Sequence, residues 1–497
     1  MMQMFHNRWL LKLIIGLYSG CHFWRTVIRL ISLGMVTVLL AGCAAGPEFR
    51  RPEVKPVQWH SPLPHGGKLA GLAHWWEQLN DPLLNQLILE AEKNNPSIDM
   101  ALARMHEARA NANLSGAGLY PVLMLEAGSN RSRNVFGTQI FEQTAHKLSF
   151  DASWELDLFG SNRRSAQAAE ARFGAEVAGW HEARISLAAE VARVYTGMRQ
   201  CEAALSIAQQ LQQSHAVVLA LTLQKQSAGL ASSMDRLRAE AASADADSAY
   251  LARQGECARG YNQLAMLTGI EQSVLQVSLI KGVAVIPVPY SVDISSIAAQ
   301  FVRQRPDVAG AEWRLAAASA EIGVATAALY PSLILSGSVA LNRVTMSGQS
   351  AQVPTWSFGP ALSFPLFTAG RGQAGVAAAQ ARYDYALANY QKSVREAIQE
   401  VEDALVRLNM ASLRVQKARQ SQGHNQQLLT VTQARNTTGL ANQLVVEDAR
   451  RNFLQSQDLA SQQDQEIVLA WIALYKALGG GWDEQASQGL ASGGQHE

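Results

Sequence analysis

Leu148-Ser149-Phe150-Asp151-Ala152-Ser153-Trp154-Glu155-Leu156-Asp157-Leu158-Phe159-Gly160 is the stretch that decides the fold. Leu148, Phe150, Ala152, Trp154, Leu156 and Leu158 alternate with Ser149, Asp151, Ser153, Glu155 and Asp157, the period of two of a strand with one oily and one polar face. After Gly160 the period changes. Phe173, Trp180, Leu187, Val194 and Cys201 stand seven apart, the spacing of a coiled-coil seam. No proline occurs between Pro121 and Pro287, so nothing there forces a helix to break. If 160–229 is mostly helical, at about 1.5 Å per residue the rod is on the order of 100 Å long, a length that suits a structure crossing a compartment.

The same change of period occurs twice. Tyr120-Pro121 recurs as Tyr330-Pro331, Gly160 as Gly370, Gly229-Leu230 as Gly439-Leu440, Gly269 as Gly479 and Pro96 as Pro306, always 210 residues apart. One spacing held by five landmarks indicates an internal duplication. In the second copy Trp356, Phe358, Leu362, Phe364 and Leu366 stand opposite Ser357, Gly359, Ala361 and Ser363. Weaker alternation over 121–130 and 331–342 precedes each strong strand, and the polar stretches 131–145 and 343–354 between them are expected as long loops. Each copy therefore contributes one β-hairpin, and the chain contributes four strands of roughly 10 residues, the length and alternation of transmembrane barrel strands. Four strands cannot close a barrel, and an open edge in lipid leaves backbone groups without partners, so oligomerisation is expected. A soluble sandwich edge with helices packed on it is the alternative.

The first fifty residues carry an export signature. Residues 30–40 form an 11-residue apolar run, too short to span a bilayer as a helix but suited to a signal-peptide core, with Arg25 and Arg29 as its positive flank. Leu40-Ala41-Gly42-Cys43 follows directly and resembles the lipobox of bacterial lipoproteins. Cleavage there leaves Cys43 as the N-terminus, to carry an N-acyl and an S-diacylglycerol group, and each buried acyl carbon contributes roughly 0.8 kcal/mol of anchoring. Ala44 in place of Asp after the cysteine implies, by resemblance to enterobacterial lipoproteins, sorting to the outer membrane. The extra apolar patch at 10–18 is expected to reflect an over-extended start. No run of 18 apolar residues follows Cys43, so further membrane contact is expected to use strands.

Composition excludes several classes. The 497 residues are 48% apolar with a formal charge of +1, which supports real cores and gives no basic field for nucleic acid. Gly370-Arg371-Gly372-Gln373-Ala374-Gly375 fits GxGxxG, but no short βαβ unit follows, and the equivalent place after Gly160 has Asn162 and Ser165. The eleven histidines and four cysteines show no HExxH or CxxC spacing. No enzyme, resident cofactor or metal site is expected.

Gly46-Pro47-Glu48-Phe49-Arg50-Arg51-Pro52, Arg305-Pro306-Asp307-Val308, Ile322-Gly323-Val324-Ala325 with Tyr330-Pro331, and Leu474-Tyr475-Lys476-Ala477-Leu478-Gly479-Gly480-Gly481-Trp482 resemble the TolC-type outer-membrane factors, in particular their NodT-like lipoprotein branch. The resemblance runs from about Cys43 to Trp482. It implies a homotrimer, a membrane β-barrel of twelve strands with four from each protomer, and a long α-helical coiled-coil barrel forming a tunnel into the periplasm. It makes the turns at Gly229-Leu230 and Gly439-Leu440 the tips that meet a periplasmic adaptor protein, coupled to an inner-membrane pump, expected to be of the resistance-nodulation-division type. It places the periplasmic gate at Leu444, Asp448 and Arg451, which at i, i+4 and i+7 share one helix face. Leu444 is expected to resist wetting, and Asp448 and Arg451 to pair between or within subunits and latch the closed state, a solvated charged face being the alternative for the two charges. Met234, Arg238 and Ala241 stand there in the first copy, so only the second hairpin carries the latch.

Cys201 and Cys257 each lie 28 residues from Gly229, level on the two arms of one hairpin. In an oxidising periplasm a disulfide is expected between them, two buried free thiols being the alternative. The expected organisation is a signal peptide at 1–42, a lipid-anchored segment at 43–95, a first repeat at 96–269, a linker at 270–305 around the tunnel's waist, a second repeat at 306–482 and a disordered tail at 483–497. The expected function is an exit channel of a tripartite efflux system, conducting drugs or other small toxic solutes passively; a protein-secretion duct and a non-conducting structural lipoprotein are the alternatives.

Overall fold

The computed structural model describes residues 44–52, 72–281, 286–287, 305–346 and 348–480. The signal segment, Cys43 and the tail at 483–497 lie outside the described residues, as does most of the linker beyond 281. A 3-10 segment at Leu72–Leu79 leads into α1 (Pro82–Asn94), α2 (Pro96–Ala117), β1 (Val122–Phe136), β2 (Gln139–Leu156), α3 (Ser161–Ser227), α4 (Ser233–Thr268) and α5 (Gln272–Lys281). Then follow α6 (Pro306–Ala327), β3 (Ser332–Met346), β4 (Gln349–Ser363), α7 (Arg371–Thr437) and α8 (Gln443–Ala477). The order helix, strand, strand, helix, helix thus occurs twice, yet the copies do not fold apart: the chain divides into two compact units, each drawing on both copies.

The first unit, residues 1–50, 108–173 and 314–387, contains the sheet. Its four strands pair in chain order, all antiparallel. Alternation fixes the faces: Leu125, Phe150, Val339 and Trp356 form one cross-sheet row, and Glu126, Ser149, Ala340 and Thr355 form the adjacent row on the other face. Trp356 is 80% exposed on the apolar face, whereas Ser149 and Ala340 are buried on the other. At about 3.4 Å per residue, the eight steps from Leu148 to Leu156 cover roughly 27 Å along the strand, close to the apolar band of a membrane barrel once tilt is allowed for.

The loops expected at 131–145 and 343–354 are not loops. β1 and β2 stay paired to Phe136 and Gln139, leaving only Gly137 and Thr138 to turn, and β3 and β4 stay paired to Met346 and Gln349. The backbone ladder continues past the oily band and is supported there by polar pairs, Arg131 to Glu142 at 2.7 Å, Asn342 to Thr355 at 2.8 Å and Thr345 to Ser350 at 2.6 Å. Where apolar residues are few and do not alternate with polar ones, a strand leaves no period of two to read.

Residues 44–50 form a strap in this unit. The Ala45 amide donates to the Phe159 carbonyl at 2.8 Å, and Arg164 Nε donates to the Ala45 carbonyl at 3.3 Å, where β2 gives way to α3. Gly46, at φ +85°, crosses α6 so closely that a Cβ would lie 2.5 Å from Gly323 Cα. Two glycines at one backbone crossing account for both sequence motifs.

The second unit, residues 51–107, 174–313 and 388–497, is helical. Its core is drawn from α1, α3, α4, α5, α7 and α8: Leu84, Leu264, Leu405 and Leu474 are fully buried, and Trp75 stacks on Tyr475 at 5.1 Å. On α3 the seam residues Leu187, Val194 and Cys201 are buried as the heptad spacing requires. α3 and α7 are 67 residues each, about 100 Å of helix. No described helix is long and apolar enough to cross a membrane.

Candidate functional site

The two helical hairpins reverse by the same local device. After α3, Gly229 takes φ +72°; its amide bonds the Gln226 carbonyl at 2.9 Å and the Leu230 amide bonds the Lys225 carbonyl at 2.7 Å. After α7, Gly439 takes φ +79°, with Leu440 bonded to the Arg435 carbonyl at 2.8 Å. These are glycine-terminated helix ends whose last carbonyls are satisfied within the turn. Ser232 then caps α4 in a reciprocal box with Asp235, and the Asn442 side chain caps α8 through the Val445 amide at 3.1 Å. The outcome at each tip is an apolar side chain held out in water: Leu230 is 78% exposed and Leu440 70%.

The first turns of α8 bring Leu444, Asp448 and Arg451 onto one face. Arg451 Nη2 donates to Asp448 Oδ1 at 3.1 Å; Asp448 is exposed, while Arg451 is largely covered and its Nη1 is buried with no hydrogen-bond partner among the described residues. All three line a cavity of about 650 Å³, shared with His215 of α3, Leu230 of the first tip and Arg238 of α4. Arg238 stands in the first copy where Asp448 stands in the second, so this place carries the opposite charge. Burial, reinforced by the Arg451 charge and opposed by Asp245, holds His215 below the ordinary histidine range.

Beside this face lies a buried charge that the sequence reading did not single out. Glu447 is 1% exposed; it accepts from Ser214 Oγ of α3 at 2.8 Å and Gln443 Nε2 at 2.9 Å, with Arg450 at 3.7 Å. It ties α8 to α3 across the two hairpins. The available signal was a carboxylate between Val446 and Ala449 on the helix's apolar stripe.

Farther along the first hairpin Cys201 and Cys257 form a disulfide with Cα atoms 5.6 Å apart. Ala411 and Ile467 occupy those places in the second copy, so one hairpin is stapled and the other is not. The sheet of the first unit ends in two edges, β1 and β4, without partners among the described residues.

A family model described as outer membrane efflux protein matches residues 87–270 and 298–480, one segment for each copy of the duplication. The chain belongs to the outer membrane efflux protein family. It is similar to the cation efflux system protein CusC of Escherichia coli O157:H7, 30% identical over 90% of this chain and 98% of CusC. It is equally similar to the antibiotic efflux pump outer membrane protein ArpC of Pseudomonas putida, 30% identical over 92% of this chain and 97% of ArpC. Among solved structures, the outer-membrane channel OprN superposes with a TM-score of 0.79 at 28% identity, covering 88% of this chain and 100% of that one.

Membership in the outer membrane efflux protein family makes this chain an outer-membrane exit channel of an efflux system, extending into the periplasm. The four strands and long paired helices per protomer are the architecture of these channels. The strands are accordingly the membrane part. The fold joins Leu444, Asp448, Arg451 and Leu230 around one cavity; Gly439 and Leu440 form the second tip and do not line it.

Proposed function

We propose that three copies close a twelve-stranded barrel and conduct drugs, metal ions or other small toxic solutes passively outward from a periplasmic adaptor and an inner-membrane pump of the resistance-nodulation-division type. The observation that carries this is the four-stranded sheet with an apolar outer face and two unpaired edges, which in lipid must be satisfied by further copies. Relatives named for cations and for antibiotics match this chain equally well, which favours selection of cargo upstream of the channel. Leu230 and Leu440, exposed on hydrogen-bonded glycine turns, are the surfaces offered to the adaptor. Cys43 carries the N-acyl and S-diacylglycerol anchor: the strap places Ala44 beside Gly160, at the end of β2 where the apolar band finishes. Asp448 and Arg451 latch the periplasmic end, with Leu444 resisting wetting.

Single-channel conductance in a planar bilayer tests the reading, comparing wild type with Asp448→Ala/Arg451→Ala. A small wild-type conductance rising several-fold in the variant is expected. Trimers that insert and conduct equally and weakly in both forms would remove the latch assignment, and insertion without conductance would favour a structural lipoprotein.

A further inference from the structure

The apolar band that runs across the sheet gives way, toward the hairpin turns, to rows that carry arginine. The last oily row that crosses all four strands, toward the hairpin turns, is Ala127, Leu148, Leu341 and Pro354; beyond the arginines a single apolar pair, Val135 and Ile140, sits at the tip of the first hairpin. The next row on the same face is Ser129, His146, Arg343 and Gln352, and the following two bring Arg131 and then Arg133, which pairs with Glu142. Rows on one face are two residues apart, so Arg343 lies about 7 Å beyond the oily band along its strand. The helices leave the sheet at the opposite end, so these rows meet the outer leaflet, at the height where acyl chains give way to headgroups.

Charge on this face is unbalanced. Glu142 is the only carboxylate on the outward face of the four described strands, and two arginines share it, Arg131 at 2.7 Å and Arg133 at 3.9 Å. Arg343 makes no ion pair with any described residue and stands directly opposite His146, whose ring N–H can donate to the same anion. Arg131 and Arg133 are 73% and 70% exposed. The fork of a guanidinium fits two phosphate oxygens at once.

We propose that Arg131, Arg133 and Arg343, with His146, form a binding site for the phosphate groups of an outer-leaflet glycolipid. The site rests on the sheet being embedded in the outer membrane and does not depend on the gate or on the cargo. Its ligand is held by two parts at once, acyl chains on the Leu148 and Leu341 row and phosphate on the guanidiniums above it. Glu142 competes for the same arginines and weakens the site.

The test is native mass spectrometry of the detergent-solubilised oligomer titrated with diphosphorylated lipid A, with the same lipid stripped of both phosphates, and with millimolar inorganic phosphate as competitor. Wild type is expected to prefer the phosphorylated lipid by on the order of tenfold, and Arg131→Gln/Arg133→Gln/Arg343→Gln to lose that preference. Glu142→Gln is expected to bind several-fold more tightly, a gain that misfolding cannot mimic. Equal binding of the two lipids, an unchanged triple variant, or an unchanged Glu142→Gln would overturn the proposal. Complete displacement by inorganic phosphate would also overturn it, showing a free-anion site in place of a lipid site.

Discussion

Glu447 is a buried charge beside the proposed gate residues and is expected to influence them without being one of them. Its carboxylate is satisfied by Ser214 on the other hairpin, and a hydrogen bond to a charged group contributes about 1.5–3 kcal/mol. Ser214→Ala removes that bond and leaves the helix fold intact, so the closed state should lose on the order of tenfold in its population relative to the open one. Open probability in single-channel records measures this; an intact oligomer with unaltered gating would show that the bond is incidental. His181, on α3, has a different consequence. Burial, helped by Arg184, pushes it down to about 4 from the usual 6.5. Because the folded value lies below the unfolded one, the neutral ring's contribution is fully present above pH 6.5 and fades as pH falls toward 4. Thermal unfolding of His181→Gln should therefore depend less on pH than wild type across that window, and parallel pH profiles would refute the assignment.

At the scale of elements, the two hairpins are built alike and constrained differently. The turns are interchangeable glycine caps, but only the first pair of arms carries a covalent staple, Cys201 to Cys257, across 56 residues of chain. Closing a loop of that size lowers the entropy of the unfolded chain, worth roughly 4 kcal/mol in the chain-entropy account. Cys201→Ser/Cys257→Ser should lower the unfolding midpoint, and reductant should lower wild type to the same value while leaving the variant unmoved. Loss of protection should concentrate in 201–257 by hydrogen exchange, since that segment is the loop set free. Uniform loss across α7 and α8 would mean that the staple acts through the whole bundle.

For the whole molecule, the faces of the sheet decide whether it can live in a membrane. Val339 and Ser338 are neighbours in β3 and point to opposite faces. Arginine on the lipid face near mid-height costs about 2–4 kcal/mol, whereas a polar face toward an aqueous lumen tolerates it. Val339→Arg should reduce the yield of heat-resistant oligomer in the outer membrane, and Ser338→Arg should preserve it while shifting ion selectivity toward anions. Equal yields of the two variants would contradict the outward assignment of the Val339 row.

The sequence by itself determined the elements and their repetition. Periods of two and seven, the 210-residue offset and the paired Gly-Leu turns are local regularities, imposed because a strand face, a helix seam and a left-handed backbone angle each constrain nearby residues directly. The Arg451–Asp448 pairing was legible for the same reason, since residues three apart on a helix adjoin. Only the tertiary structure decided the rest. Residues 131–145 pair as strand through a backbone ladder, while their apolar residues, Val135, Phe136, Ile140 and Phe141, stand in adjacent pairs and give no alternation. Glu447 meets Ser214 across 233 residues, Gly46 meets Gly323, and each compact unit interleaves both copies. Such contacts join segments remote in the chain, and their energy comes from complementarity between two surfaces, which neither segment encodes alone.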